Sequence, residues 1–263
     1  MRGAAGRAAG LAREALSALA SVVIAPECAA CGRALERPDL GAVCPACWQA
    51  VRRFTPPVCP ACGISVSPHA TGPAGPCEAC QSGARVVSAA RAVGPYEGRL
   101  REIIHACKYE RRPSLAGPLA TLLLEAGREV LDGADVVVPV PLHWTRRHQR
   151  GFNQAEALAT RLGVPVARAL RRTRRTRPQV ELPAGDRHRN VSGAFGLARC
   201  AGGPPGRVRW RRGARPLAGR IVVLVDDVAT TGATLDACAR VLLEAGAREV
   251  RALTAARVAS PRR

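Results

Sequence analysis

Ile221-Val-Val-Leu-Val-Asp-Asp-Val-Ala-Thr-Thr-Gly-Ala-Thr-Leu235 is the stretch that decides the fold. Its first five residues are apolar and mostly β-branched, the composition of a strand buried on both faces of a parallel sheet. Asp226 and Asp227 follow at the C-terminal end of that strand, the edge at which open α/β sheets bind ligands. The small-residue loop Thr230, Thr231, Gly232, Ala233, Thr234 then opens into a helix. Thr231 or Thr234 can start that helix, Leu235, Cys238, Ala239 and Leu242 form its apolar stripe, and Gly246 stops it after Ala245.

Each part of this run has a chemical consequence. Backbone N–H groups at a helix start favour an anion. Gly232 and Ala233 let a phosphate approach the backbone, and three threonine hydroxyls add donors. The paired carboxylates repel a phosphate and suit the hydroxyls of a ribose, or Mg²⁺ bridging to them. A Walker-type loop requires a lysine after its second glycine, and this loop contains no lysine.

Outward from this unit, strands alternate with helices. Residues Arg85–Tyr96, Asp135–Pro141, Val164–Leu170, Arg220–Val225 and Glu249–Thr254 read as strands. Glu97–Lys108 carries Leu100, Ile103, Ile104 and Cys107 at helical spacing. Ser114 can cap a second helix running to about Val130, and Phe152–Leu162 reads as a third, ended by Gly163. The pattern predicts an α/β fold, a parallel sheet flanked by helices. Arg171–Asn190 is dense in arginine and reads as a mobile basic loop, and Arg199–Arg215 as a second exposed excursion.

The front of the chain has a different composition. Of eleven cysteines, eight fall in four Cys-x-x-Cys pairs: Cys28/Cys31, Cys44/Cys47, Cys59/Cys62 and Cys77/Cys80, with 12, 11 and 14 residues between successive pairs. Each pair points two sulfurs at one spot from a tight turn, and two such knuckles complete a tetrahedron around Zn²⁺. Four thiolates close the coordination sphere, so the metal is structural and supplies folding energy that this segment, poor in large apolar residues, lacks. The simplest wiring is sequential, and a cross-braced one is compatible with the spacing. His69 lies between the last two pairs, but four cysteines already supply a full set. A disulfide scaffold fits poorly, because the chain carries no convincing export signal. Cys238 and Cys107 read as core or bystander thiols, and Cys200 as a loop residue.

The formal charge is +20, from 40 basic against 20 acidic residues, and two zinc-tetrathiolate sites would reduce it to about +16. A polyanionic partner follows: nucleic acid or a multiply phosphorylated substrate. Leu11–Ala25 is Ala/Leu-rich, yet Arg13 and Glu14 interrupt it, and the uncharged remainder falls short of the about 20 residues that span a bilayer. It reads as an amphipathic N-terminal helix, and the expectation is a cytoplasmic protein without membrane insertion. The division expected is 1–25 for that helix, 26–84 for a double zinc-ribbon module and 85–263 for the α/β domain.

The run from Ile221 resembles the phosphoribosyl-pyrophosphate (PRPP) motif of type I phosphoribosyltransferases. Tyr96-Glu-Gly98, Lys108-Tyr109, Val138-Pro-Val-Pro-Leu142, Arg150-Gly-Phe-Asn-Gln154, Gln179, Arg189-Asn190, Ala194-Phe195 and the knuckles in front resemble the ComF family, including its GntX-type relatives. The likeness extends from about Pro26 to Arg257, with a longer basic excursion between Phe195 and Ile221 as the departure. It implies that Asp226 and Asp227 hold the ribose diol and metal, and that Thr230, Thr231, Gly232, Ala233 and Thr234 cradle the 5′-phosphate. It implies further that the loop after Leu142 takes pyrophosphate with Arg146, Arg147 and Arg150. Gln179, Arg187, Arg189 and Asn190 would form a lid, and Lys108 would stand in a neighbouring hood.

Two functions of different class follow. One is a phosphoribosyltransferase using Mg²⁺-PRPP, with the acceptor left open. The other is a protein that handles single-stranded DNA, working with DNA-uptake proteins as ComF relatives are associated with natural transformation; a PRPP sensor without turnover is a variant of it. Purified protein should carry two zinc ions, and Cys28→Ser or Cys59→Ser should each release one and loosen the front module while the α/β domain stays folded. Elemental analysis that finds no zinc, or an iron–sulfur absorbance, would overturn the metal assignment.

Overall fold

The computed structural model describes residues 26–66, 75–81, 83, 85–109, 112–143, 151–174, 189–198 and 217–258. The strands are β1 (Ala90–Pro95), β2 (Val136–Pro139), β3 (Leu170–Arg172), β4 (Phe195–Leu197), β5 (Ile221–Ala229) and β6 (Glu249–Arg257). The helices are α1 (Pro45–Gln49), α2 (Glu78–Gln81), α3 (Gly98–Tyr109), α4 (Ala116–Ala126), α5 (Arg128–Leu131), α6 (Gln154–Ala159) and α7 (Ala233–Glu244). Among the described residues, one parallel sheet runs in the order β1-β6-β5-β2, and β3 and β4 form a separate antiparallel pair.

The alternation of side chains along each strand divides the core into two layers. Val223 and Val225 of β5, Val137 of β2 and Leu253 of β6 face one cluster, which contains Leu100, Ile103 and Ile104 of α3 and Leu119 and Leu123 of α4. Val222 and Leu224, Val136 and Val138, and Val250 and Ala252 face the other, built on Leu235, Cys238, Ala239 and Leu242 of α7. The stripe on α7 is therefore its buried face, as its spacing predicted, and Cys238 is a core residue.

Besides the strand expected from Arg85, which begins only at Ala90, three elements differ from the sequence expectation. The helix expected from Ser114 to Val130 is a 3-10 turn (Pro113–Leu115) followed by α4 and α5, parted at Gly127. Gly127 packs against Leu253 so closely that a Cβ there would come within 2.5 Å of a Leu253 methyl. Of Val164–Leu170, only Val166 bridges to the parallel sheet, opposite Val137; the chain then leaves it, and Leu170–Arg172 pairs antiparallel with β4. The basic stretch expected to start as a loop at Arg171 thus starts as a strand. The third is β5, which runs four residues past Val225 to Ala229 and carries both aspartates inside it.

The cysteine-rich front packs directly on the α/β body. Cys28, Val43, Cys47 and Val51 belong to the same buried cluster as α3 and α4, so the loss of Cys28 reaches further than an independent front module would allow. Cys59, Cys62 and Cys77 form a small cluster of their own. The segment between the two cysteine sets lies along β1: Phe54 N–H donates to Val93 O at 2.9 Å, and a Cβ at Gly94 would fall 1.9 Å from Arg52 O. Only glycine fits under that carbonyl. Gly94→Ala should therefore cost about 2–3 kcal/mol in urea unfolding, because backbone must move to admit the methyl. Gly117→Ala, in α4 with open space around it, should leave stability unchanged or raise it by about 0.5–1 kcal/mol.

Candidate functional site

β2 ends at Pro139, which pairs with Val225, while β6 stays alongside β5 as far as Arg257. Beyond Val225, β5 is thus open on its β2 side, and Asp226 and Asp227 are the first residues in that gap. Asp226 still pairs with Thr254 of β6, which holds the backbone of the acidic pair rigid. The loop that leaves β2 is pinned beside it. Asn153 accepts from Ala155 N–H at 3.1 Å as the N-cap of α6 and donates its Nδ2–H to Val140 O at 3.1 Å. Asn153 of the Arg150-Gly-Phe-Asn-Gln154 motif thereby ties the start of α6 to the end of β2.

Lys108, on the last turn of α3, reaches this gap. Its Nζ stands 3.0 Å from Asp227 Oδ1, and the two side chains are only 12% and 16% exposed. The ammonium also lies 5.8 Å from the centre of the Tyr96 ring. Burial works against the charge on Lys108, but the Asp227 carboxylate, with Tyr96 and Asp226, outweighs it and holds the lysine above its ordinary value. Asp226 is shifted the other way. Burial and the neighbouring Asp227 charge push its carboxyl up to about 7, although the Asp227 N–H, donated to Asp226 Oδ1 at 2.8 Å, and the charges of Lys108 and Arg172 oppose the shift.

Arg172 is a residue that sequence reading placed in a solvated basic stretch. The β3–β4 pairing sets its guanidinium 5.2 Å from the Phe195 ring, and its charge acts on Asp226 across the site. Its position depends on an antiparallel partner 23 residues away, Phe195, which the local pattern does not announce. Asp236 was missed for a similar reason. It sits in the first turn of α7, only 3% exposed, and its Oδ1 accepts from Val86 N–H and Val87 N–H at 3.1 and 3.2 Å.

The loop between β5 and α7 turns into the helix on a glycine. Gly232, at φ +88°, is the N-cap of α7 and has no side chain to cap it. Ala233 N–H donates to Thr231 Oγ1 at 3.4 Å, and the first helical bond runs from Asp236 N–H to Gly232 O at 2.9 Å. Thr230, Thr231 and Thr234 are partly exposed around the buried Gly232 and Ala233. The expected residues Lys108, Asp226, Asp227 and Thr230–Thr234 thus come from α3, β5, the β5–α7 loop and the first turn of α7. Arg146, Arg147, Arg150, Gln179, Arg187 and His69 lie outside the described residues.

The cysteines form two tetrads among the described residues, Cys28/Cys31/Cys44/Cys47 and Cys59/Cys62/Cys77/Cys80, in each of which all sulfurs lie within 4.8 Å of one another. The wiring is sequential. Sulfurs of Cys31 and Cys44 are 4.0 Å apart and those of Cys62 and Cys77 3.7 Å, against about 3.8 Å for two thiolates on a tetrahedral zinc and about 2.05 Å for a disulfide. Backbone N–H groups point at the sulfurs, Cys44 N–H to Cys28 and Cys77 N–H to Cys59. Within each tetrad the thiols split: the Arg33 backbone N–H and side chain bring Cys31 down to about 6, while burial and the other sulfurs hold Cys47 high. Hydrogen bonding favours the thiolate at one sulfur while burial and the neighbouring sulfurs disfavour it at another, and a divalent cation at the centre would favour the thiolate at all four. Both tetrads fit structural zinc.

The comparisons with known proteins agree with this architecture. Residues 134–263 match the phosphoribosyl transferase domain, and residues 19–81 match the double zinc ribbon domain. The DNA utilization protein YhgH of Escherichia coli (strain K12) is 36% identical over 220 residues, covering 79% of this chain and 87% of that protein. The chain belongs to the ComF family. Further relatives of this ComF protein are the competence protein F of Haemophilus influenzae, 29% identical over 79% of this chain and 87% of its own, and competence protein ComFC of Bacillus subtilis, 29% identical over 81% and 82%. No helix among the described residues of the ComF chain is long and apolar enough to cross a membrane.

The carboxyl of Asp226 also sets a pH dependence. An aspartate in an unfolded chain titrates near 4, whereas Asp226 in the folded protein titrates at about 7. Folding therefore binds a proton between these values, and stability falls as pH rises from about 4 to about 7, beyond which this group takes no more. Asp226→Asn should stabilise the protein at pH 8 by about 1–3 kcal/mol. The gain should shrink as pH falls through that window and vanish below pH 4, measured by thermal unfolding.

Proposed function

We propose that the protein binds PRPP, or a related ribose 5-phosphate ligand with Mg²⁺, and transfers its phosphoribosyl group to an acceptor in a pathway of DNA utilisation. The observation that carries this reading is the pair Asp226–Asp227 in the part of β5 that β2 leaves open, followed within six residues by the N-terminus of α7 at Gly232. A sugar diol and a phosphate are separated by a furanose ring, and carboxylates followed a few residues on by a helix N-terminus match that spacing of opposite preferences. The phosphoribosyl transferase match supports the reading, and the names of the relatives support the link to DNA.

In this reaction the bond from C1 of the ribose to the pyrophosphate oxygen breaks, pyrophosphate leaves with the electron pair, and a nucleophile of the acceptor forms the new bond to C1. Asp226 and Asp227 would hold the diol and, with it, Mg²⁺, whose contribution is to neutralise charge on the departing pyrophosphate. The chain's own acidic pair fits that role: it lies in a gap, and one oxygen of Asp227 is already matched to a cation, Lys108. For the diol to be gripped, Lys108 must give up Asp227 and turn to the ligand, so the lysine keeps the free site from carrying two adjacent negative charges.

The charge of +20 and the arginine-rich stretches favour a second reading on the same pocket: a binder of single-stranded DNA that holds a 5′-phosphorylated end without turnover. Calorimetry separates the two. Wild-type protein should bind Mg²⁺-PRPP, and Asp227→Asn should weaken that binding about ten- to a hundredfold by removing charge-assisted hydrogen bonds to the diol. Affinity should also fall below pH 7 as Asp226 takes up its proton. A protein with no affinity for Mg²⁺-PRPP or ribose 5-phosphate, whose aspartate variants bind single-stranded DNA as wild type does, would sink the transferase reading; a steep salt dependence of DNA binding would then favour the second.

A further inference from the structure

The β5–α7 loop has no cation of its own: Val228 to Leu235 contains neither lysine nor arginine. Among the described residues, a cation reaches it from the segment that follows the second cysteine tetrad. A Cβ at Gly232 would lie 2.9 Å from Nη1 of Arg85, so the guanidinium stands directly over the glycine at the centre of the loop. Arg85 Nε is buried and has no hydrogen-bond partner; among the described residues the guanidinium makes no ion pair with a carboxylate, and its charge acts on the Cys80 sulfur of the second tetrad. A buried guanidinium N–H without an acceptor is costly unless a ligand supplies one.

The placement of Arg85 is over-determined from both sides. On its C-terminal side, Val86 and Val87 are fastened by their N–H groups to Asp236 in the first turn of α7. This bond lays the strap against the same helix whose N-terminus the loop forms. On its N-terminal side, Arg85 follows Cys80 by five residues, and the second cysteine tetrad is fixed to the sheet edge. Ala90 N–H donates to Ala61 O at 2.9 Å, Arg91 Nη1 donates to Pro60 O at 2.9 Å, and Gly63 sits against Ala90 O with no room for a side chain. The second zinc ribbon is therefore held where its exit strap must pass the loop.

We propose that Arg85 is an anion-binding residue of the Thr230–Thr234 loop, contacting the phosphate of a phosphorylated ribose, and that the second zinc ribbon is thereby part of that site. The proposal rests on the ribose-phosphate reading above and adds to it a residue and a role for the metal module. A guanidinium suits a phosphate better than the backbone amides alone, because it brings a full charge and a planar pair of donors. Zinc in the second tetrad then acts on ligand affinity through geometry, by setting where the strap begins.

The test uses full-length, zinc-loaded protein and calorimetric titration with ribose 5-phosphate and, separately, with ribose. Arg85→Met keeps the length of the side chain and should weaken ribose 5-phosphate binding about ten- to a hundredfold, while Arg85→Lys should recover part of the loss. Binding of ribose should not change. Cys80→Ser should release one zinc and weaken ribose 5-phosphate binding to the same degree as Arg85→Met, with the double variant no weaker than either single one. Wild-type affinity in Arg85→Met would overturn the proposal and leave the ribose-phosphate reading standing. An additive loss in the double variant, or no loss in Cys80→Ser, would overturn the zinc-ribbon role. If wild-type protein binds neither ribose 5-phosphate nor PRPP, the underlying reading falls, and the role of Arg85 falls with it.

Discussion

Two carboxylates side by side at the sheltered end of a strand repel each other, and much of this structure is the consequence of keeping them there. Asp226 cannot move, because β6 pairs with it from one side. Its proton is held to about pH 7 by burial and by Asp227. The compensation comes from three directions: the Lys108 ammonium from α3, the Arg172 guanidinium from β3, and the N–H of Asp227 itself. An arrangement of this kind spends stability to keep a polar site in place, as functional sites do.

The same constraint explains the shape of the sheet. β2 stops opposite Val225, just before the acidic pair, and the chain turns away through a loop that Asn153 fastens. If β2 continued, its residues would close the gap beside Asp226 and Asp227. Hydrophobic packing anchors the strands below this level, where Val222 to Val225 are fully buried on both faces, and gives way to polar chemistry above it. The site is therefore rigid where it is apolar and open where it is charged.

The cysteine-rich front contributes more than an appendage would. The first tetrad sits in the same core as α3, the helix that carries Lys108, and the second is tied to β1 and leads into the strap over the β5–α7 loop. In a segment with few large apolar side chains, two zinc sites would supply folding energy that hydrophobic burial cannot. Their position means that the cysteine-rich part of the fold reaches both α3, which carries Lys108, and the β5–α7 loop.

How much of this was legible beforehand depended on the range of the interactions. The strand from Ile221, the stripe of α7, the loop that precedes it and the four Cys-x-x-Cys knuckles are set by residues within about twenty positions of each other, and their periodicity and spacing were sufficient; the spacing left open which knuckles pair, and the structure shows the sequential wiring. The sequence by itself determined that a parallel sheet carries an acidic pair before a glycine-bearing loop, and that eight cysteines have the spacing of zinc knuckles. Only the tertiary structure decided that Lys108 meets Asp227, that Arg172 reaches the site from a strand pairing with Phe195, that Asp236 is an anchor and that Arg85 lies on Gly232. These contacts join residues from about 20 to 150 positions apart, and no local pattern encodes which distant backbone a charged side chain will meet. They follow from how the sheet, its helices and the zinc ribbons pack, because only that packing settles which polar groups leave water together.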